Sequence, residues 1–204
     1  MKKLTFKFLT VLLCTFFLLI QSCSEDQELL RSPTTEVIPS VEDYAATNSV
    51  SCSPSGWCDE NGLANDVGSN GNGVLWIIGT SSTGGGFKIY FRDFNNDMWI
   101  NVPGGGVAID VEYNGMPWIV NNANEIYRRN TAGAWIRMPG SARDIGIGAN
   151  GDIWIIGTSS TGGGYKIYKW DPSISNWRQS DGGGTRISVD GSGIPWIINN
   201  ANQG

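Results

Sequence analysis

Residues 64–124 recur as residues 142–202, 78 positions further on and without a gap. Of the 61 aligned positions 34 are identical, including the unbroken run Trp76–Gly86 against Trp154–Gly164. Self-similarity at a fixed period restricts a chain to architectures assembled from copies of one supersecondary unit. Each 78-residue segment is itself double. Trp76, Trp118, Trp154 and Trp196 each open a Trp-Ile-Ile or Trp-Ile-Val triplet, at spacings of 42, 36 and 42 residues. A period near forty residues suits one four-stranded blade of a β-propeller, and the chain holds about three and a half such units.

The strands of one unit can be read from its pattern. Ile109 and Val111, Ile145 and Ile147, and Ile187 and Val189 alternate with polar or glycine neighbours, as one face of a first strand does. Asn114-Gly115 or Asn150-Gly151 follows, a pair whose left-handed preference closes a hairpin. The Trp triplet is apolar throughout, so it reads as a second strand buried on both faces. Lys88–Tyr90, Glu125–Tyr127 and Lys166–Tyr168 supply the third, and Trp99, Trp135 and Trp177 begin the fourth. No segment of 61–204 keeps a helical period over three turns, so the expected class is all-β. The unit boundaries are 61–106, 107–141, 142–184 and an incomplete 185–204.

The string Trp135-x-x-Met138-Pro139-Gly140-Ser141-Ala142-x-Asp144-Ile145-Gly146-Ile147-Gly148, running on to Trp154, resembles the tectonin repeat, as does Trp99-x-x-Val102-Pro103-Gly104 through Ile109 to Trp118. The resemblance covers residues 61–204. It implies a propeller, usually of six blades, in a family whose best-understood members bind glycans or lipopolysaccharide while others are intracellular adaptors. This chain departs from that pattern after Asn202, where the copy stops two strands into its last blade. An arc of this size leaves an open sheet edge. Pairing of chains, strands supplied from before Asn61, or truncation of a longer chain would each resolve it; the end of the identity in mid-strand points to truncation.

Ahead of the repeats, Lys2 and Lys3 precede the apolar run Phe8–Ile20, too short for a spanning helix but suited to a secretory signal. The ending Leu19-Ile20-Gln21-Ser22-Cys23 resembles a bacterial lipobox, implying a signal peptide over 1–22 and lipidation of Cys23. Ser24 and the acidic pair Glu25-Asp26 resemble the features of outer-membrane, surface-displayed lipoproteins. Residues 23–60 carry eight acidic residues and one basic, a net −7, whereas 61–204 carry eleven and ten. The acidic stretch reads as a flexible tether, its ~27 unpatterned residues spanning on the order of 28 Å as a coil. The near-neutral repeats present no basic face for nucleic acid. Cys52 and Cys58, placed outside the cytoplasm by such a signal, are expected to form a disulfide, closing a short loop worth about 2–2.5 kcal/mol. Zinc would need a shell that no His and no second Cys pair complete.

Catalytic chemistry finds little support. Histidine is absent from the chain, which removes Ser-His-Asp and Cys-His sites. Asp66/Asp144 and Asp93/Asp171 recur at the repeat spacing, so they are expected to be spread around the ring rather than gathered as a glycosidase pair requires. The Gly84–Gly86, Gly104–Gly106, Gly162–Gly164 and Gly182–Gly184 strings lack the lysine and helix of a phosphate cradle and read as turns. Calcium at Asn70–Gly73 or Asp190–Gly193 competes with plain turn chemistry. No cofactor and no enzyme activity are expected.

Two features suit sugars. Tyr90, Trp99, Tyr127, Trp135, Tyr168 and Trp177 could offer aromatic plates to the apolar face of a pyranose, or could pack blade against blade. Asn121, Asn122 and Asn124, repeated as Asn199, Asn200 and Asn202, offer uncharged donors and acceptors for vicinal hydroxyls, or form turns. Arg128 and Arg129 could meet a phosphate or carboxylate. The connection after the Trp triplet alternates between a long Ser-Ser-Thr-Gly-Gly-Gly loop and the shorter Asn cluster, so equivalent sites are expected at every second blade. The function these features point to is a surface lectin, with a protein–protein scaffold, a fragment of a longer propeller and a carbohydrate-cleaving enzyme as alternatives, and a homo-oligomer as one route to a closed ring.

Overall fold

The computed structural model describes residues 51–52, 58–60 and 62–204; residues 1–22, Cys23 and most of the tether lie outside them. Among the described residues there is no helix. A short hairpin pairs β1 (Ser51–Cys52) with β2 (Cys58–Asp59). The first four-stranded sheet then runs through β3 (Ala64–Ser69), β4 (Leu75–Thr83), β5 (Gly86–Asp93) and β6 (Met98–Gly106). The second contains β7 (Ala108–Val111), β8 (Pro117–Val120), β9 (Ile126–Arg129) and β10 (Trp135–Met138). The third contains β11 (Ala142–Ile147), β12 (Ile153–Thr161), β13 (Gly164–Asp171) and β14 (Asn176–Gly184), and β15 (Arg186–Val189) pairs with β16 (Pro195–Ile198). Strands lie side by side in chain order and antiparallel throughout, the meander of a propeller blade. Three and a half blades are present and the ring is open.

Contacts between blades explain why the second strands are apolar on both faces; β8 is buried at all four positions. Trp76, Ile78 and Val102 of the first blade pack on Ile109, Val111 and Ile119 of the second. Trp118, Val120 and Ile126 of the second meet Ile145, Ile147 and Ile155 of the third. Ile156 and Ile167 of the third meet Ile187, with Trp154 and Ile197 alongside. Trp76, Trp118 and Trp154 therefore lie on the side of their blade that faces the next. At the last blade Trp196 and Ile198 are 64% and 46% exposed, where their copies Trp118 and Val120 are 2% and 0%.

The first hairpin turns work differently from the expectation placed on Asn-Gly. Only the glycine is left-handed (Gly115 φ 86°, Gly151 φ 89°). The asparagine instead accepts backbone N–H through its Oδ1, Asn114 from Met116 and Asn150 from Asp152, at 2.9 and 3.0 Å. Its short side chain mimics a backbone turn. Asp190 holds the last turn likewise, accepting from Ser192 N and Ile194 N at 2.9 and 3.0 Å.

Outer strands are hooked between blades. Trp135 Nε1 donates to Pro103 O at 2.8 Å, and Trp177 Nε1 to Pro139 O at 2.7 Å. The glycine after each proline makes room: a Cβ on Gly104 would lie 2.8 Å from Trp135 Nε1, and one on Gly140 3.0 Å from Trp177 Cδ1. This gives the Pro-Gly motif its physical reason. Trp177→Phe keeps an aromatic ring but loses the donor, and should lower the unfolding free energy by about 1 kcal/mol in denaturant titrations; no change would mean that the hook adds nothing to stability.

Candidate functional site at the loop rim and the hub

Blades one and three carry the long hairpins β4–β5 and β12–β13, and each is brought against the asparagine turn of the following blade. Asn122 N donates to Gly85 O and Asn200 N to Gly163 O, both at 2.9 Å. Gly85 and Gly163 hold φ of 88° and 86°, a conformation glycine adopts without strain. The two junctions have the same geometry, 78 residues apart.

Within each turn the asparagines divide their roles. Asn121 Oδ1 accepts from Ala123 N and Glu125 N at 2.9 Å, and its Nδ2 donates to Glu125 Oε2 at 3.0 Å. Asn199 does the same with Ala201 N, Gln203 N and Gln203 Oε1, at 2.9, 3.0 and 3.3 Å. Asn124 and Asn202 take positive φ of 62° and 59° and donate their N–H to Asn121 O and Asn199 O at 2.9 and 3.0 Å. These four asparagines build the turn. Asn122 and Asn200 are exposed, and their amides make no hydrogen bond within the described residues. The exposed hydroxyls of Ser82 and Thr83, and of Ser160 and Thr161, belong to the hairpins that meet them. Each junction thus presents uncharged donors and acceptors.

The aromatic residues do not collect there. Tyr127 and Trp135 pack into the seam between blades one and two, and Tyr168 and Trp177 into the seam between two and three. The Trp177 ring lies 5.1 Å from Trp170 and 6.3 Å from Trp118. The ring of Tyr90 lies over Gly79, where a Cβ would sit 2.8 Å from it, and the Arg92 guanidinium is 5.6 Å from the Trp99 ring. All six are half-buried. Contacts of this kind support the blade-against-blade role for the four seam residues.

Both arginines beside the first asparagine turn are engaged. Arg128 Nε and Nη2 donate to the two carboxylate oxygens of Glu112 at 2.6 and 3.0 Å. Arg129 lies 5.4 Å over the Trp135 ring and 5.9 Å over that of Trp76.

The hub corrects one expectation. Asp66 and Asp144 are not dispersed: with Asp110 they line one cavity of about 490 Å³, together with Ser69, Arg186 and Ser188. Equivalent residues on the innermost strands converge on the axis, so repetition gathers them. Each carboxylate clips the next blade: Asp66 Oδ2 accepts from Ile109 N at 2.7 Å, Asp110 Oδ2 from Ile147 N at 2.6 Å, and Asp144 Oδ2 from Ile187 N at 2.9 Å. Burial nevertheless outweighs these bonds. It pushes Asp110 up to about 7, with the charges of Asp66 and Asp144 adding to the effect. It lifts Asp144 to about 6 against the opposing charge of Arg186, and raises Asp66 as well. Among the described residues no group of three or more potential ligands is placed to hold a metal ion. Asp93 and Asp171 do stay apart, in outer turns, where Asp93 accepts from Asn95 N at 2.9 Å and Asp171 from Ser173 N at 2.8 Å. Asp110 escaped notice in the sequence because it sits at a different strand position from Asp66 and Asp144. The signal available was a carboxylate between two branched apolar residues in Ile109-Asp110-Val111.

In the hairpin that precedes the blades, the backbone register sets Cys52 opposite Cys58.

Meander sheets seamed by tryptophan and clipped at a common hub define a β-propeller. Residues 107–203 match the tectonin domain family, and residues 64–106 repeat residues 142–184 within that match. No curated protein matches the chain. Among solved structures it is similar to YCF48 bound to D1 peptide, at 19% identity and a TM-score of 0.44, covering 69% of this chain and 48% of that one. It is also similar to the tricorn protease, at 17% identity and a TM-score of 0.45, covering 62% and 14%. The chain spans less than half the length of either.

Proposed function

We propose that this propeller is a non-catalytic glycan-binding protein, held at the bacterial outer surface by a lipid on Cys23, and that its sugar sites are the two loop–asparagine junctions. The observation that carries the reading is the recurrence of one junction, Asn122 on Gly85 and Asn200 on Gly163, with free amides and exposed hydroxyls at each. Vicinal sugar hydroxyls need paired donors and acceptors, and an amide supplies both without charge. Because Arg128 and Arg129 are occupied by Glu112 and by aromatic rings, the ligand class is neutral sugars, those of lipopolysaccharide included, rather than phosphate. Shallow sites of this kind bind at about −4 to −8 kcal/mol. Two on one rigid body gain avidity on a dense glycan surface.

The hub carboxyls, although raised in pKa as a general acid would be, are each bonded to a neighbouring backbone amide, which fits a structural role. A densely printed glycan array tests the proposal. Binding should fall by about tenfold or more in the double variant Asn122→Ala/Asn200→Ala, with the melting temperature unchanged. A silent array together with a stoichiometric co-purifying protein would replace the lectin with a scaffold, and release of reducing ends from the bound polysaccharide would replace it with an enzyme.

A further inference from the structure

We propose that the seam between blades one and two holds a site for a small oxyanion, a carboxylate or phosphate group, bound between the indole N–H of Trp76 and the guanidinium of Arg129. The site stands apart from the sugar junctions, because Arg129 closes β9 at the end opposite the asparagine turn. Two donors meet there without a protein acceptor. Trp76 is 6% exposed, and its Nε1 is the one buried side-chain nitrogen or oxygen without a hydrogen-bond partner among the described residues. An N–H shut away from water is normally paired. Arg129 Cζ lies 5.9 Å from the Trp76 ring and 5.4 Å from the Trp135 ring. Stacking of this kind uses the face of a guanidinium and leaves its in-plane N–H donors unspent, and no oxygen of the described residues accepts from them. Burial lowers the Arg129 pKa from its ordinary value, as befits a charge taken from water without a counter-charge.

The neighbouring blades show what this position calls for. In blade two, Trp118 Nε1 and Arg128 Nε both donate to Glu112 Oε1. In blade three, Trp154 Nε1 donates to Gly193 O at 3.2 Å, and Lys169, 5.5 Å from the Trp154 ring, pairs with Asp152 at 2.8 Å. Blade one has Asn70 where blade two has Glu112. Asn70 Oδ1 is already taken by Asn72 N and Val74 N, both at 3.0 Å. The protein thus gives a carboxylate to the cation beside Trp118 and beside Trp154, and gives none beside Trp76. An oxyanion has lone pairs for the indole N–H and the guanidinium edge together, and it brings the charge that a water molecule would not. Gly133 flanks that edge, where a Cβ would lie 3.1 Å from Arg129 Nη2, so no side chain at that position closes over it.

Indole N–H resonances of the isotopically labelled full chain, followed by NMR, test the site. Inorganic phosphate and acetate are titrated separately, with chloride holding the ionic strength constant. The Trp76 resonance, assigned by its loss in Trp76→Phe, should move saturably with a midpoint on the order of 1 mM. The two titrations distinguish phosphate from carboxylate, and a response to either supports the site. Arg129→Met should raise the midpoint by about tenfold or more. Asn70→Glu, which offers Trp76 the acceptor that Glu112 offers Trp118, should raise it likewise and tests the site without removing either donor. A Trp76 resonance that stays still in both anions up to about 50 mM, or an unchanged midpoint in Arg129→Met, would overturn the proposal.

Discussion

Trp118→Ala is expected to lower the unfolding free energy by about 3–5 kcal/mol, whereas Trp196→Ala should change it by less than about 1 kcal/mol. The two tryptophans are the middle residues of the same Pro-Trp-Ile motif, 78 residues apart, and differ in what lies against them. Trp118 is 2% exposed, stacked edge-on against Trp170 and Trp177 at 5.9 and 6.3 Å, with Ile145 and Ile147 beneath. Its removal leaves a cavity between two blades, and neighbours held by both sheets relax into it poorly. Trp196 is 64% exposed and gives up little buried surface. Equilibrium unfolding in guanidinium checks the pair. Equal losses at the two positions would contradict the blade order described here.

Acidification from pH 7.5 to about 5 should raise stability, and Asp110→Asn should abolish much of the rise. A carboxyl whose folded pKa lies above its unfolded value takes up a proton on folding. The native state then binds more protons than the unfolded chain, and stability falls as pH climbs through the folded values. For Asp110 and Asp144, pushed up from 3.8 to about 7 and about 6, that window runs from about pH 4 to pH 7. At 1.36 kcal/mol per unit, Asp110 contributes a difference on the order of 4 kcal/mol across it. Asp171, lowered to about 2 by Ser173 and Arg178, works in the opposite sense and loses its contribution as pH falls below about 4. Maximum stability is therefore expected near pH 4–5. Urea midpoints measured from pH 3 to 8 decide the matter; a flat profile, or one rising towards pH 8, would show that the hub carboxylates are ionised at little cost.

The blades were legible in the sequence because the fold repeats and each position is written three or four times. The alternation of Ile109 with Val111, the apolar triplets and the Pro-Gly after Trp135 each have a direct counterpart in strand, seam and hook. What the sequence concealed is radial position. Spacing along the chain says which residues are equivalent, not whether equivalent residues meet. The aspartates of the inner strands converge, while Asp93 and Asp171 in the outer turns do not. Likewise Asn121 and Asn122 are adjacent and chemically identical. Only the turn geometry, with Asn121 accepting two amide protons, separates the residue that folds the loop from the one left to meet a ligand.

The alternation of long hairpin and asparagine turn makes the pair of blades, not the single blade, the interchangeable module. Excising residues 107–184 would rejoin the tryptophan side of blade one to Ile187 and Ile197, copies of the Ile109 and Ile119 it already meets, and Asn200 would inherit the carbonyl of Gly85. Removing one blade would instead set two Ser-Ser-Thr-Gly-Gly-Gly hairpins side by side, with no asparagine turn between them to receive either. Loss of 78 residues thus keeps the kind of seam and junction the molecule already makes, whereas loss of a single blade does not.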